Sequence, residues 1–496
     1  MIEKERAPLF EALMTHAGLG AAPFHVPGHK QRADWGMDSA SAVYASLLPI
    51  DVTELSDTDD LHHPEGPLLD AQALAAKCFG AEETRFLVGG STSGNLAMIL
   101  GVCQPGELVV VQRNVHKSII HGLMLAGARA VLLPPEIDGS SGLATLPSEE
   151  ILRRALERYP GAKAVLLSSP NYYGMSAVLD RRIADAHRFG VPVFVDEAHG
   201  AHFGLHPRFP RSALQAGADL VVQSTHKMLG AMTMGAMLHM QGDLVPRRAV
   251  RQALTMVQSS SPSFPILATL DLSRRQIHAN GERTFLSALE AAEEASEGLE
   301  RTPFRALGRG RYASAGVAYD PLKLSLFDET DSLTGFALRD ALLARGCVAE
   351  MADERYAVLA FGTGSKREDG RRLKEALTEI GREIGAVRPD ESRTRRHEPS
   401  DYGIPDVPEP VLFSREVAES RTVPLERSAG LQAAEWVIPY PPGIPMLFPG
   451  ETITESTVER LLRWRHEGAR IQGAKDPQLR QIEVRTENRQ VVTCSK

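Results

Sequence analysis

Between about residues 68 and 270 the chain alternates short apolar runs with longer stretches of helical character. The runs Arg85–Val88, Leu108–Gln112, Val131–Leu133, Ala162–Leu167, Val191–Val195 and Asp219–Gln223 read as strands buried on both faces. Leu68–Phe79, Leu96–Val102 and Arg181–Phe189 read as helices. Strands alternating with helices build βαβ units, so an α/β fold with a mainly parallel sheet is expected, with ligands gathered at the carboxyl ends of its strands.

The pattern changes on either side of this region. Residues 1–60 read as an arm, with a short amphipathic start at Pro8–Ala17, and 61–305 as the large domain. Residues 271–305, rich in Ala, Glu, Leu and Arg, suggest a connecting helix. Over 306–387 the strand-like Lys323–Phe327 and Tyr356–Phe361 each precede a helix (Gly335–Arg345 and Glu368–Ile384), which describes a small α/β domain. The polar, proline-bearing stretch 388–410 reads as a linker, and 411–496 as a last domain with a polar tail.

Composition narrows the class. Of the 496 residues, 43% are hydrophobic and 24% charged, ordinary for a globular protein with a sizeable core. A net charge of −8 gives no reason to expect nucleic-acid or membrane partners. The opening Met1–Arg6 carries no apolar stretch, so no secretory signal is expected. Cys78, Cys103, Cys347 and Cys494 lack metal-ligand spacing and read as thiols in a reducing compartment. A cytoplasmic protein without metal is the expectation.

Chemistry concentrates where the apolar runs end. After Asp219–Val222 comes Gln223-Ser224-Thr225-His226-Lys227. A lysine there is costly to desolvate unless it is paired or used, and it suits a Schiff base with an aldehyde cofactor. Val193–Val195 ends in Asp196, followed by Ala198 and His199. An isolated strand-end carboxylate reads first as an N-cap or turn residue, and it could also hold a pyridine nitrogen protonated. Gly89-Gly90-Ser91-Thr92-Ser93-Gly94-Asn95 offers glycines, hydroxyls and helix N-terminal amides to a phosphate, and also reads as a helix-capping turn. His116, after Leu108–Gln112, is a stacking candidate or a structural histidine. His199 and His202 are polar core residues, or proton-transfer candidates if a cofactor lies near.

As a set these residues resemble the Orn/Lys/Arg decarboxylase family of fold-type I pyridoxal-phosphate enzymes. The likeness is carried by Phe24–Lys30, Asp59–His62, Arg113–Ser118, Asp196–Gly200, Ser224–Lys227, Ser259–Ser263, Tyr440–Pro445 and Pro449–Glu451. It implies a transferase-like large domain with a seven-stranded sheet and smaller C-terminal α/β domains. It implies pyridoxal 5′-phosphate joined to Lys227, with Asp196 on the ring nitrogen, Ala198 against the ring and His116 stacked on it. Ser91, Thr92, Ser93, Ser224 and His226 would surround the phosphate, and His199 would lie beside the ring. The implied reaction is decarboxylation of arginine, lysine or ornithine through internal aldimine, external aldimine and quinonoid. Ser259–Ser263 would come from a neighbouring subunit, making the partner a second copy in a homodimer or higher oligomer. With the cofactor lysine at 227, the chain resembles the short bacterial form without an N-terminal wing.

Two alternatives stay open at this level. The same cofactor serves aminotransferases and other lyases, in which an arginine usually anchors the α-carboxylate. A regulator built on this fold would need a helix-turn-helix module, and the proline-rich first sixty residues do not suggest one. Glu435 and Glu451 are candidate partners for the substrate's distal cation, as are Glu54, Asp57, Asp59 and Asp60 of the arm, which read by default as a solvated charge run.

Overall fold

The computed structural model describes residues 3–385, 406–416, 418–440, 443–467 and 469–486. Most of the expected linker, Pro441 and Pro442 of the Tyr440–Pro445 motif, and Cys494 lie outside them.

Among the described residues eight strands form the main sheet, one more than expected. In chain order the large domain gives β1 (Glu83–Leu87), β2 (Leu108–Gln112), β3 (Arg129–Leu133), β4 (Val165–Ser168), β6 (Val193–Asp196), β7 (Leu220–Gln223) and β8 (Ala236–Met240). The short β5 (Met175–Ala177) pairs elsewhere, with Val317–Tyr319. Spatial order is β1-β8-β7-β6-β4-β2-β3, and Val411–Leu412 adds the eighth strand, antiparallel on the β3 edge. Sequence spacing could not show it, because a two-residue exposed strand carries no pattern of its own. Only β8 and this last strand run against the others.

The apolar runs feed two cores at once. Val110, Val193 and Val195 point into one, whereas Val109, Val111 and Phe194 point into the other. Side chains alternate across a strand, so a continuous apolar run is what a doubly covered sheet requires. The helices that bury residues around the sheet are α1 (Pro8–Ala17), α3 (Pro67–Phe79), α4 (Gly90–Leu100), α5 (Lys117–Ala126), α6 (Glu149–Arg158), α7 (Asp180–Arg188) and the single turn α8 (Thr225–Met228), with Arg247–Val257 and Phe264–Asn280 following, whereas α2 (Asp38–Tyr44) buries none of its residues. The helix expected over 271–305 is broken: a 3-10 turn at Gly281–Phe285 separates Phe264–Asn280 from Leu286–Ser296.

Gly94 sets the depth of α4. A Cβ there would stand 2.5 Å from Val222 Cγ2 and 2.9 Å from Leu87 Cδ1. Only a bare backbone lets α4 press onto the sheet at this point, next to Asn95.

A second, antiparallel sheet orders Met351–Ala352, Ala357–Ala360, Lys323–Asp328 and Phe304–Ala306, backed by Gly335–Leu343 and Arg367–Gly385. A third, small core lies under Ser420–Pro424, Gln481–Arg485 and the helix Glu455–Glu467. Among the described residues no helix is long and apolar enough to cross a membrane, and no acid, histidine and cysteine cluster could hold a metal. Burial pushes the Cys78 thiol up to about 11 and Cys103 up to about 12, which marks both as core thiols rather than nucleophiles.

Candidate active site

The ends of β1, β2, β4, β6 and β7 open on one side of the sheet, and the candidate residues meet there. β1 runs into Gly89-Gly90, where Gly90 takes φ +69°, and α4 starts at once. Ser91, Thr92 and Ser93 occupy its first turn, and Ser93 Oγ donates to the Gly90 carbonyl at 2.9 Å. The Met234–Gly235 backbone ties this turn to the one after β7. Gly90 N–H donates to Met234 O, and His226 N–H to Gly235 O. Ser224 Oγ is fully buried and has no hydrogen-bond partner among the described residues.

Asp196 is held from two sides. Its Oδ2 accepts from Asn95 Nδ2 at 2.9 Å, and its Oδ1 from the Ala198 N–H at 3.1 Å. The same Asn95 amide donates to Ser118 Oγ at 2.9 Å, and Ser118 Oγ lies 2.8 Å from His116 Nδ1. The Ser118 N–H also donates to Nδ1, so this nitrogen carries the lone pair and the proton sits on Nε2. A directed chain thus runs from Asn95 through the Ser118 hydroxyl to His116. Burial raises the Asp196 carboxyl, against the pull of Asn95 and Lys227. Burial, aided by Lys227, pushes His116 down to about 3. Asp196 is therefore a carboxylate that needs a cation opposite it, and His116 a neutral ring.

Lys227 sits in the turn after β7, beside Asp196 on the neighbouring strand. Burial lowers its pKa, opposed by Asp196 and Glu350. Its Nζ is 3.2 Å from His199 Nε2 and 6.0 Å from the centre of the Tyr172 ring. His199 packs against Tyr172 with ring centres 4.7 Å apart, and its Nδ1 is 3.3 Å from Lys323 Nζ. Burial and the two amines hold the imidazole well below its usual pKa. His226 turns Nδ1 to the Gly235 carbonyl at 2.9 Å, and burial keeps it neutral. Its free Nε2 is then an acceptor, so it meets a phosphate as a donor only when protonated.

The C-terminal residues close the pocket. Gly443 (φ +92°) passes so near His116 that a Cβ would lie 3.2 Å from its ring, and its carbonyl accepts from the Lys117 N–H. Arg113 grips Glu451 with two hydrogen bonds of 2.8 and 2.7 Å and donates to the Pro445 and Met446 carbonyls.

This corrects the search for an acid to meet a basic substrate. Glu451 is consumed by Arg113, and Glu435 accepts the Lys475 and Glu483 N–H groups. Asp59 holds the N–H groups of Asp60, Glu65, Gly66 and Leu68 ahead of α3, and Asp57 pairs with His16. Asp60 accepts from the His62 and His63 N–H groups, and Glu54 from Leu61. His202 lies away from Lys227 in a buried pair with Asp320, 2.9 Å apart. In Ser259–Ser263 the first three serines are exposed.

Sequence reasoning missed Asn95 as a ligand of Asp196, Tyr172, Lys323 and Glu350. Lys323 had a readable signal, a charge inside the apolar run Leu322–Phe327, the same signal that marked Lys227. Glu350 is exposed, and its carboxylate has no ion pair among the described residues. Its charge nevertheless acts on Lys227, Lys323 and His226.

The fold is that of the fold-type I α/β enzymes, a class that includes pyridoxal-phosphate enzymes. Residues 7–310 match the model for the Orn/Lys/Arg decarboxylase major domain, and 412–473 that for its C-terminal domain. The chain belongs to the Orn/Lys/Arg decarboxylase family and is a decarboxylase. An arginine decarboxylase of Bacillus subtilis is 34% identical over 99% of this chain and 100% of its own length. The protein YaaO of the same organism, described as uncharacterized, is 41% identical over 94% of this chain and 96% of its own length. Among solved structures, the constitutive lysine decarboxylase of Escherichia coli superposes with a TM-score of 0.75 at 21% identity, covering 97% of this chain and 82% of that one. A high-resolution structure of SPT with its PLP internal aldimine gives 0.52 at 19% identity, over 78% and 86% of the two chains. Both likenesses are of fold.

The Arg113–Glu451 contact generates a prediction. Arg113→Met leaves Glu451 partly buried and unpaired, at a cost of about 2–3 kcal/mol in urea denaturation, and Glu451→Met in the same chain recovers most of it.

Proposed function

We propose that this enzyme decarboxylates a basic amino acid (arginine, lysine or ornithine) to the corresponding amine and CO₂, with pyridoxal 5′-phosphate held at Lys227. The observation that carries this reading is the placement of a half-buried amine, Lys227, and a buried carboxylate, Asp196, beyond the ends of adjacent parallel strands, where each acts on the other's charge. The residues fit the cofactor by their own chemistry. Ser224 offers an orphaned buried hydroxyl, the α4 N-terminus offers amides to an anion, and Asp196 lacks only a cation to stay ionised.

When bound, the cofactor supplies an electron-poor ring that takes up the electron pair released as CO₂ leaves. The chain's residues do the rest. Lys227 would hold the aldehyde carbon covalently until the substrate's amine takes its place, and Asp196, fixed by Asn95 and Ala198, would keep the ring nitrogen protonated. His116, a neutral imidazole, and the small Ala198 would hold the ring. Ser91, Thr92, Ser93 and Ser224 hold the phosphate, with His226 beside them. Lys227 Nζ returns a proton to the carbon that has lost the carboxylate, and His199 keeps that amine in place.

Glu350 supplies what the earlier acidic candidates do not: a free carboxylate whose field reaches Lys227. Its role in this reading is to meet the substrate's distal cation. The partner is a second copy of the chain. Phe24 is 93% exposed and Val43 73%, with Val26, Trp35, Met37 and Tyr44 also exposed on the arm, more apolar surface than one short segment leaves bare without a partner.

Three outcomes test this. The protein should release CO₂ and an amine in equal amounts from at least one of the three substrates, and Lys227→Ala should abolish both; a keto acid without CO₂ would make it an aminotransferase. Glu350→Gln should raise KM for the basic substrate about tenfold with a smaller change in kcat, and an unchanged KM would remove its role. Sedimentation should give at least two copies per particle, and Phe24→Asp with Val43→Asp should shift it toward one; a wild-type monomer contradicts the shared site.

A further inference from the structure

Lys323 is a buried cation that decarboxylation, as described, leaves without a task. It opens the strand Lys323–Asp328 of the second sheet and is 7% exposed. Its stem passes Gly174, where a Cβ would stand 2.6 Å from the lysine's own Cβ. With φ at +85°, that position is built for glycine. The amine then reaches His199 Nδ1 at 3.3 Å, while Lys227 Nζ lies 3.2 Å from Nε2 of the same ring.

An imidazole between two amines imposes a proton count. A neutral ring has one N–H and one lone pair, so it accepts from one amine and donates to the other, which must then be uncharged. An imidazolium donates to both, and both must be uncharged. No arrangement that satisfies the two contacts places more than one positive charge on Lys227, His199 and Lys323 together.

The surroundings decide where that charge rests. Asp196 and Glu350 act on Lys227, Asp320 and Glu350 act on Lys323, and His116, His226 and Tyr172 flank the ring. Both Asp196 oxygens are engaged by Asn95 and Ala198. Asp320 gives Oδ1 to His202 and the Leu322 N–H, but its buried Oδ2 has no hydrogen-bond partner among the described residues. The carboxylate with acceptor capacity to spare acts on Lys323.

We propose that Lys323 is a positioning residue that holds the single ammonium of a Lys227–His199–Lys323 chain, so that Lys227 presents an uncharged amine. The inference rests on the reading of Lys227 as the cofactor-bearing lysine. An uncharged amine is the form that attacks an aldehyde. The chain also lets the charge return. Lys323 gives a proton to Nδ1 as Nε2–H passes its own to Lys227, so the ammonium moves from one lysine to the other with no proton drawn from solvent. Lys227 thereby holds the proton it delivers to carbon, and solvent replaces that proton in the chain once per turnover.

The test reads Lys227 directly. Full-length protein is freed of cofactor and mixed with pyridoxal 5′-phosphate across about pH 6 to 10, a range that spans the ordinary histidine and lysine values. The adduct is reduced with borohydride and quantified as added mass on the Lys227 peptide. Lys323→Met keeps the bulk and removes the charge. It should raise the midpoint of the rate profile by about one pH unit and slow labelling at neutral pH about tenfold. Lys323→Arg, permanently charged, should keep both near wild type. In a His199→Phe background, which cuts the chain, Lys323→Met should shift the midpoint by less than half as much. An unchanged midpoint in Lys323→Met overturns the proposal, as does labelling kept by Met and lost by Arg, the order that pure packing would give. If Lys323→Met does not fold, a raised midpoint in Lys323→Arg overturns it equally well. Wild-type protein with no label on Lys227 refutes the assignment of that lysine instead, so the two failures are told apart.

Discussion

The pocket is governed by the cost of taking charge out of water. Two amines, two neutral imidazoles and a carboxylate occupy one largely dry volume at the strand ends, and each can stay only in the protonation state its neighbours permit. Burial pushes the carboxyl of Asp196 up and the amine of Lys227 down, toward the uncharged form of each. An aldehyde with a protonated ring nitrogen reverses the argument at both ends. It consumes the amine and gives the carboxylate its cation. The site is thus poorly suited to standing alone and well suited to one class of ligand.

Precision in that volume comes from backbone as much as from side chains. Gly94 brings α4 onto the sheet next to Asn95, and Gly174 clears a path for the Lys323 stem. Gly443 lets the C-terminal loop lie against His116. At each position a methyl group would meet a neighbour at 3.2 Å or less, so the pocket's dimensions are written in what these residues lack.

How much of this was legible follows from the range of the interactions. Asp196, Lys227 and His116 each sit just beyond an apolar run, and strand ends of a parallel sheet converge, so local pattern placed all three near one another. Lys323 comes from a different sheet, 96 residues further on from Lys227 (323 − 227), and no local spacing reports that meeting. Asn95 stood within a stretch read for phosphate, and only the depth of α4 turns its amide toward Asp196. The acids fared worst. Glu435 and Glu451 looked available because a sequence lists charges without their partners, whereas the structure finds both already bonded. Glu350, which has no ion pair among the described residues, lies beside no motif at all.

The seat of Gly443 against His116 also orders events in time. A chain is made from its N-terminus, and its large domain is the first part able to fold. The wall that touches His116, and the Glu451 clasp on Arg113, emerge some 220 residues after Lys227 (443 − 227 = 216; 451 − 227 = 224). A nascent large domain therefore has its reactive amine but an open mouth, and the pocket is enclosed only after Gly443 and Glu451 have been made. Reactivity in this protein matures with the chain.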